Sequence, residues 1–273
     1  MTRRIMSFFI EKSTKFHCYD TAKSLFKNID IDNVIDTLKK DGISSGIILP
    51  EDVVQDILDF AFSTRCYGNG QPSLGFYVHE KEQVQAKHKN PLLTAVYFNA
   101  ALNCPAISRI ERDPYLLEIA KKYLGKNPIH LGNRLWWSFV TEATESDRSQ
   151  AAQMFHYDLD DYRFLKFFFY LTDVDLANGP HVCVRGTHER KKFLHWLLLK
   201  RYPDKEIISS YGSESIVTLC GNAGFGFAED TLCFHKGYPP TIKDRLILQI
   251  QFALNDYGLQ NDKIDTSLLK PII

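Results

Sequence analysis

The chain has 273 residues, of which 44% are hydrophobic and 24% charged, and its 33 basic side chains balance 33 acidic ones. That balance is ordinary for a soluble globular protein and offers no net field to attract nucleic acid or an acidic membrane surface. A chain of this length buries a substantial core, as one large domain or two small ones, and 19 Phe with 13 Tyr favour sheet around an aromatic interior.

Residues 1–30 carry no firm pattern. Val34–Lys40 reads as a short helix, followed by Gly42 and an apolar strand, Ile43–Leu49. PEDVVQDILDFAF opens a helix on Pro50 with acidic residues at its positive end, and Val53, Val54, Ile57, Leu58 and Ala61 form its buried face. Tyr67–Lys89 reads as irregular: YGNGQPSLG is a turn or loop, and HEKEQVQAKHKN is solvated surface. So long a loop is a candidate lid and substrate contact. Within Ile107–Leu124, Asp113 caps a helix whose first residue is Pro114. Leu116, Leu117, Ala120 and Leu124 form its stripe, Gly125 ends it, and it is expected on the outside of the sheet. PIHLGNRLWWSFV returns to strand, with Trp136 and Trp137 on opposite faces, one able to line a cavity while the other packs outside. Thr141–Gln150 is a polar loop.

KFFFYL is a strand, ANGP (177–180) a turn, and Thr187 is expected to cap a helix through FLHWLLLKRY that stops at Pro203. His181 and His195 are assigned to packing or surface, and His188 to a structural or hydrogen-bonding role. SIVTLC, GFGFA and TLCFHKG are strands; the glycines of GNAGFG open no βαβ unit, which excludes a nucleotide loop. Arg245 and Leu246–Leu254 form the last strand, and the tail ending LLKPII packs on the body or serves a dimer contact. The six cysteines (Cys18, Cys66, Cys104, Cys183, Cys220, Cys233) make no CxxC pair, so buried free thiols in a reducing, cytoplasmic compartment are expected. The basic N-terminus lacks a signal-peptide core, and no transmembrane span is expected.

The chemistry concentrates in two stretches, QMFHYDLDDYRFLKFFFY (153–170) and DTLCFHKGYPPTIKDRL (230–246). In extended backbone His156 and Asp158 leave on the same side while Tyr157 points away. His235, brought in by the fold, would complete two imidazoles and a carboxylate, a set that holds a divalent metal with open positions. Asp158 also stands beside Asp160 and Asp161, so the run reads equally as a solvated acidic turn. Arg245 tips the balance: a guanidinium at the head of an apolar strand calls for an anionic partner, and its planar fork matches a carboxylate.

HxD, a distal His and a following Arg, together with YLTDVDLANGPHVCVRGTHE and HKGYPPTIKDRL, resemble in order the signatures of the phytanoyl-CoA dioxygenase family of Fe(II)/2-oxoglutarate oxygenases. Thr187 stands where serine is usual, and the resemblance covers roughly residues 34–255. It implies a mainly β protein with flanking helices, a double-stranded β-helix (jelly roll, cupin-like). The whole chain, 1–273, would be one domain, its helix-rich part (about 1–125) packed on the core (about 126–255). It implies Fe(II) on His156, Asp158 and His235, and 2-oxoglutarate on Arg245. The strand before HxD contributes to that pocket in related enzymes, which makes Asn133 and Trp137 candidates. It implies O2 as co-reactant, release of succinate and CO2, and hydroxylation of a small-molecule substrate by a monomer or homodimer. Related halogenating enzymes lack the carboxylate present here as Asp158. The substrate stays open among CoA thioesters, amino acids and natural-product intermediates. Arg190, Lys191 and Lys192 are a candidate phosphate patch or a solvated helix face, and Lys166 or Arg185 candidate partners of an acidic substrate. Two rival functions stay in view: a metal cupin acting as isomerase or hydrolase, and a catalytically silent binding protein.

Overall fold

The computed structural model describes residues 19–150, 152–258 and 262–272. The first helix, α1 (Ile31–Asp41), starts where the Asp30 side chain accepts from Asn33 N and stops at Gly42, whose φ of 78° is the left-handed cap. Gly42 has a second reason to lack a side chain: a β-carbon there would stand 2.3 Å from Cys233 Sγ. Strand β1 (Ile43–Ile48) leads to α2 (Glu51–Ser63) and two short strands, β2 (Cys66–Gly68) and β3 (Gly75–Phe76). The stretch expected to be solvated surface then folds into α3 (Lys81–Lys87), a helix too short for a readable stripe and anchored by buried Val84 alone. After β4 (Thr94–Tyr97) come α4 (Ala100–Asn103), α5 (Pro105–Ile110) and α6 (Pro114–Leu124). As expected, Asp113 caps α6 and Pro114 opens it; the same carboxylate also accepts from Leu25 N and Ser24 Oγ, tying the entry segment down.

Strand β5 (Ile129–Ser138) is followed by α7 (Glu145–Gln150), a single helical turn and a half inside the stretch expected to be loop. Then come β6 (Phe164–Tyr170) and β7 (His181–Val184), followed by α8 (Phe193–Leu197), α9 (Asp204–Tyr211) and β8 (Ile216–Leu219). The last strands are β9 (Phe225–Glu229), β10 (His235–Gly237) and β11 (Arg245–Ala253). One expected element fails here. Thr187 caps nothing: its hydroxyl donates to Val184 O and accepts from Phe234 N, and the expected long helix shrinks to α8. Its large apolar residues, Phe193, Leu194 and Leu197, stay exposed with Leu198 and Leu199 beyond them.

The fold is mixed α/β, not mainly β: eight strands in the order β1-β9-β6-β11-β5-β4-β2-β3 form one antiparallel sheet, and β10-β7-β8 form a second. One face of the large sheet, with Leu135, Phe167 and Leu248, buries the apolar stripes of α1, α2, α5 and α6 in the main core. The other face meets the small sheet through Phe168, Tyr170 and Ile247 against Cys183 and Leu219. A helix layer therefore backs the large sheet, and a cavity of about 1170 Å³ opens over its opposite face. The C-terminal tail packs on the body: Asn99 bonds the main chain of Asp262 and Ile264, and Lys270 and Ile272 bond Pro72 and Gly75.

Candidate metal centre and the cavity around it

His156 and Asp158 lie on an extended segment that pairs with the small sheet rather than on a regular strand. His156 and His235 exchange both backbone hydrogen bonds, and Asp158 N donates to Thr231 O. This places one ligand atom from each of His156, Asp158 and His235 within 4.8 Å of the others. Tyr157 turns the opposite way, into a second core cluster. The ring orientations are set from behind: His156 Nδ1 faces Met154 O at 2.9 Å, and His235 Nδ1 faces Cys233 O at 3.0 Å. A carbonyl can only accept, so both Nδ1 atoms carry the proton and both Nε2 lone pairs are left for the centre. Burial, then the neighbouring His235, hold His156 well below its usual pKa and keep it neutral. Burial works against ionisation of Asp158, but Lys166, His235 and His156 outweigh it and hold the carboxyl far below its normal range. Two neutral imidazoles and an anionic carboxylate are the donor set a divalent transition metal takes.

Lys166, a candidate substrate contact, is committed elsewhere: its ammonium lies 2.7 Å from Asp158 and 2.9 Å from Asp160. Buried His181 lines the cavity, donates to Glu229 at 2.6 Å and stacks on His235 at 5.6 Å, a more specific place than packing or surface. Nothing in its sequence context marked it, because Glu229 arrives from a distant strand. His195 is a packing residue, bonded to Tyr211 and set against Tyr202 and Phe234. His188 bonds Lys39 O and Cys233 Sγ.

Arg245 sits at the cavity wall, 4% exposed; its guanidinium donates to Gly179 O and, at 3.0 Å, to Ser138 Oγ, and its Nε has no partner. Among the described residues no carboxylate pairs with it.

Trp137 is corrected. On β5 the residues facing the cavity are Gly132, Arg134, Trp136 and Ser138, opposite Gln251, Gln249, Ile247 and Arg245 of β11. Trp137 points into the main core, stacked on Phe139, with Nε1 donating to Tyr97 Oη. Asn133 borders the cavity, but its amide donates to Glu111 and faces His130, both on the core side. A one-residue change of strand parity exchanges the two faces. The proposed phosphate patch is corrected as well. Lys191 is buried, donating to Leu232 O under the rings of Tyr157 and Phe234, while Arg185, Arg190 and Lys192 are exposed away from the cavity. From the 67–89 stretch, Asn69 to Pro72 do border the cavity. So do Asp262 and Ile264 of the tail.

No helix among the described residues is long and apolar enough to cross a membrane. No curated protein matches the chain. Solved structures do. The 2-oxoglutarate-dependent epimerase SnoN from nogalamycin biosynthesis is 14% identical, covering 86% of this chain and 89% of its own at a TM-score of 0.55. HygX from Streptomyces hygroscopicus, with nickel, 2-oxoglutarate and hygromycin B bound, is 12% identical over 86% and 93%, TM-score 0.56. EctD from S. alaskensis, with 2-oxoglutarate and 5-hydroxyectoine, is 16% identical over 89% and 82%, TM-score 0.55. At such identities the likeness shows a shared fold. The family model for phytanoyl-CoA dioxygenase (PhyH) matches residues 75–243, more than half of the chain and the whole span from β3 through both His235 and the metal-ligand segment, and the chain belongs to that family.

Proposed function

We propose that this protein is an Fe(II)- and 2-oxoglutarate-dependent dioxygenase that hydroxylates a small organic substrate and releases succinate and CO2. The observation that carries the reading is the pairing, in one cavity, of the His156–Asp158–His235 set with a buried guanidinium, Arg245, that lacks an anion. In this reading the two sheets form a double-stranded β-helix, and residues 1–273 make one domain with the helix-rich part up to about residue 125 packed on the core of about 126–255. Free buried thiols at Cys66, Cys104, Cys183 and Cys233 fit a reducing, cytoplasmic compartment.

His156, Asp158 and His235 would hold the iron, which when bound supplies the oxidation of both 2-oxo acid and substrate. The chain supplies placement. Met154 O and Cys233 O fix the imidazole tautomers, and Lys166 holds one oxygen of Asp158 so that the other is presented at a set angle. Arg245, locked by Gly179 O and Ser138, would receive the far carboxylate of 2-oxoglutarate in a two-pronged contact and fix its orientation.

Anaerobic titration of Fe(II) and then 2-oxoglutarate into metal-free protein tests this directly. A visible metal-to-ligand charge-transfer band is expected, absent in His235→Ala and Asp158→Ala and weakened in Arg245→Gln. Stoichiometric metal binding with no band at any 2-oxoglutarate concentration would sink the proposal.

A further inference from the structure

Leaving aside the exposed tail residue Lys263, four cationic side chains besides the histidines line the cavity, and two of them have no task in the mechanism above. Lys166 is held by two carboxylates and Arg245 is positioned for the co-substrate. Arg134 and Arg201 remain. Arg134 rises from the cavity face of β5, its guanidinium 5.3 Å from the ring of Trp136 on the same face, an aromatic support that orients the fork without neutralising it. Arg201 follows the exposed Leu197–Leu199 segment into the cavity, and its Nη1 is buried with no hydrogen-bond partner.

Among the described residues neither guanidinium forms an ion pair. Burial pushes both pKa values down, and the carboxylate that acts on each is Asp158, already claimed by Lys166 and by the metal it would bind. The cavity's acids are in the opposite condition. Asp160 holds Lys166 and Gln251, Asp262 accepts from Asn133 N, Asp147 from Thr144, and Asp256 from Gly258 N. Each of these acids has at least one partner, although Asp262 Oδ1 is itself buried without one, whereas among the described residues neither arginine is paired with a carboxylate. Of the pair, only Arg201 has a donor buried without a partner, which a bound anion would satisfy, while Arg134 stands exposed at the cavity. Arg134 and Arg245 leave the large sheet at separate positions. Arg134 pairs across the sheet with Gln249, which lies about 13 Å along β11 from Arg245 at the backbone.

We propose that Arg134 and Arg201 form a second anion site beside the metal centre, and that the primary substrate is a polar small molecule held there by a carboxylate or phosphate group. The word substrate rests on the oxygenase reading; the anion site does not. The site excludes a neutral hydrocarbon as the preferred substrate, since that would leave both cations buried against apolar surface.

The test is isothermal titration of metal-free protein with inorganic phosphate. Wild type is expected to bind, Arg134→Gln and Arg201→Gln each to weaken binding at least about tenfold, and the double variant to lose it, while Arg134→Lys and Arg201→Lys retain a measurable part. Arg245→Gln is expected to keep phosphate binding and weaken the Fe(II)/2-oxoglutarate band, a dissociation that separates the two sites. Phosphate binding unchanged in the double variant, or absent in wild type, overturns the anion site. If wild type still shows the charge-transfer band in that case, the oxygenase reading survives it. Phosphate binding that depends on the two arginines, in a protein showing no band, upholds the anion site and removes the oxygenase reading instead. In a screen by succinate release, free acids or phosphate esters are expected to exceed their neutral esters or dephosphorylated forms at least about tenfold in kcat/KM; equal turnover would overturn the substrate assignment.

Discussion

On one face of β5, Leu135 and Trp137 interlock with Phe139, Phe252 and the helices behind the sheet; on the other, Arg134, Trp136 and Ser138 border an open cavity. The first face is held by close packing, and the polar group it admits, Asn133, has both ends of its amide engaged. The second face keeps charges unmet, which close packing would forbid. The same strand, residue by residue, divides holding the fold from meeting a ligand. Substitutions on the two faces should therefore fail in different assays.

Trp137→Ala should show the largest effect, a loss of about 3–5 kcal/mol in urea unfolding, because it removes a buried indole together with its hydrogen bond to the Tyr97 hydroxyl, which keeps only its own bond to Ala61 O. Under native conditions its Fe(II)/2-oxoglutarate band should survive; a lost band in folded protein would place Trp137 in the site after all. Arg245→Gln should come next and behave oppositely. It is expected to weaken 2-oxoglutarate about a hundredfold, the effect of removing one partner of a buried charged contact. Its thermal midpoint should hold or rise, since the unliganded protein sheds a buried cation without an anionic partner. A fall in stability to match the fall in affinity would dissolve the distinction between the faces.

How much of this was legible beforehand depends on how local the signal is. His156 and Asp158 share an extended segment, so their spacing alone puts them on one side, and Arg245 announces itself as a charge heading an apolar run. The parity of β5 was not legible. Its core face admits Asn133 and its cavity face carries Trp136, which blurs the hydrophobic alternation, and two adjacent tryptophans fit either assignment equally. Gly132 opposite Gln251, next to the register shift before Phe252, is what sets it, and that shift belongs to a pairing with a distant strand. The expectation of one helix from Thr187 to Pro203 failed for a different reason: most of the run's large apolar side chains are exposed, so little packing holds a long helix there. Arg134 and Arg201 could not be told from surface arginines, since nothing local distinguishes a guanidinium that has a carboxylate from one that does not.

The same division appears between two buried lysines. Lys166, 6% exposed, meets two carboxylates on the cavity side, and they outweigh its burial and raise its pKa. Lys191, 7% exposed, meets a carbonyl and the rings of Tyr157 and Phe234; burial outweighs the more distant Cys233, Asp230 and Cys183 and brings it to about 7. Equal burial has opposite consequences because only one of them has a counter-charge within reach. The sign for stability follows. Between about 7 and the ordinary 10.5 the unfolded chain binds a proton at Lys191 that the folded chain does not, so folding stability rises with pH across that window and is flat in this contribution below it. Lys191→Met should remove a slope of roughly 1 kcal/mol per pH unit from urea-derived stabilities measured between pH 7 and 10. Lys166, being raised, contributes no such rise there. Identical pH slopes in wild type and Lys191→Met would mean that the aromatic enclosure keeps the ammonium charged, through contact with the ring faces.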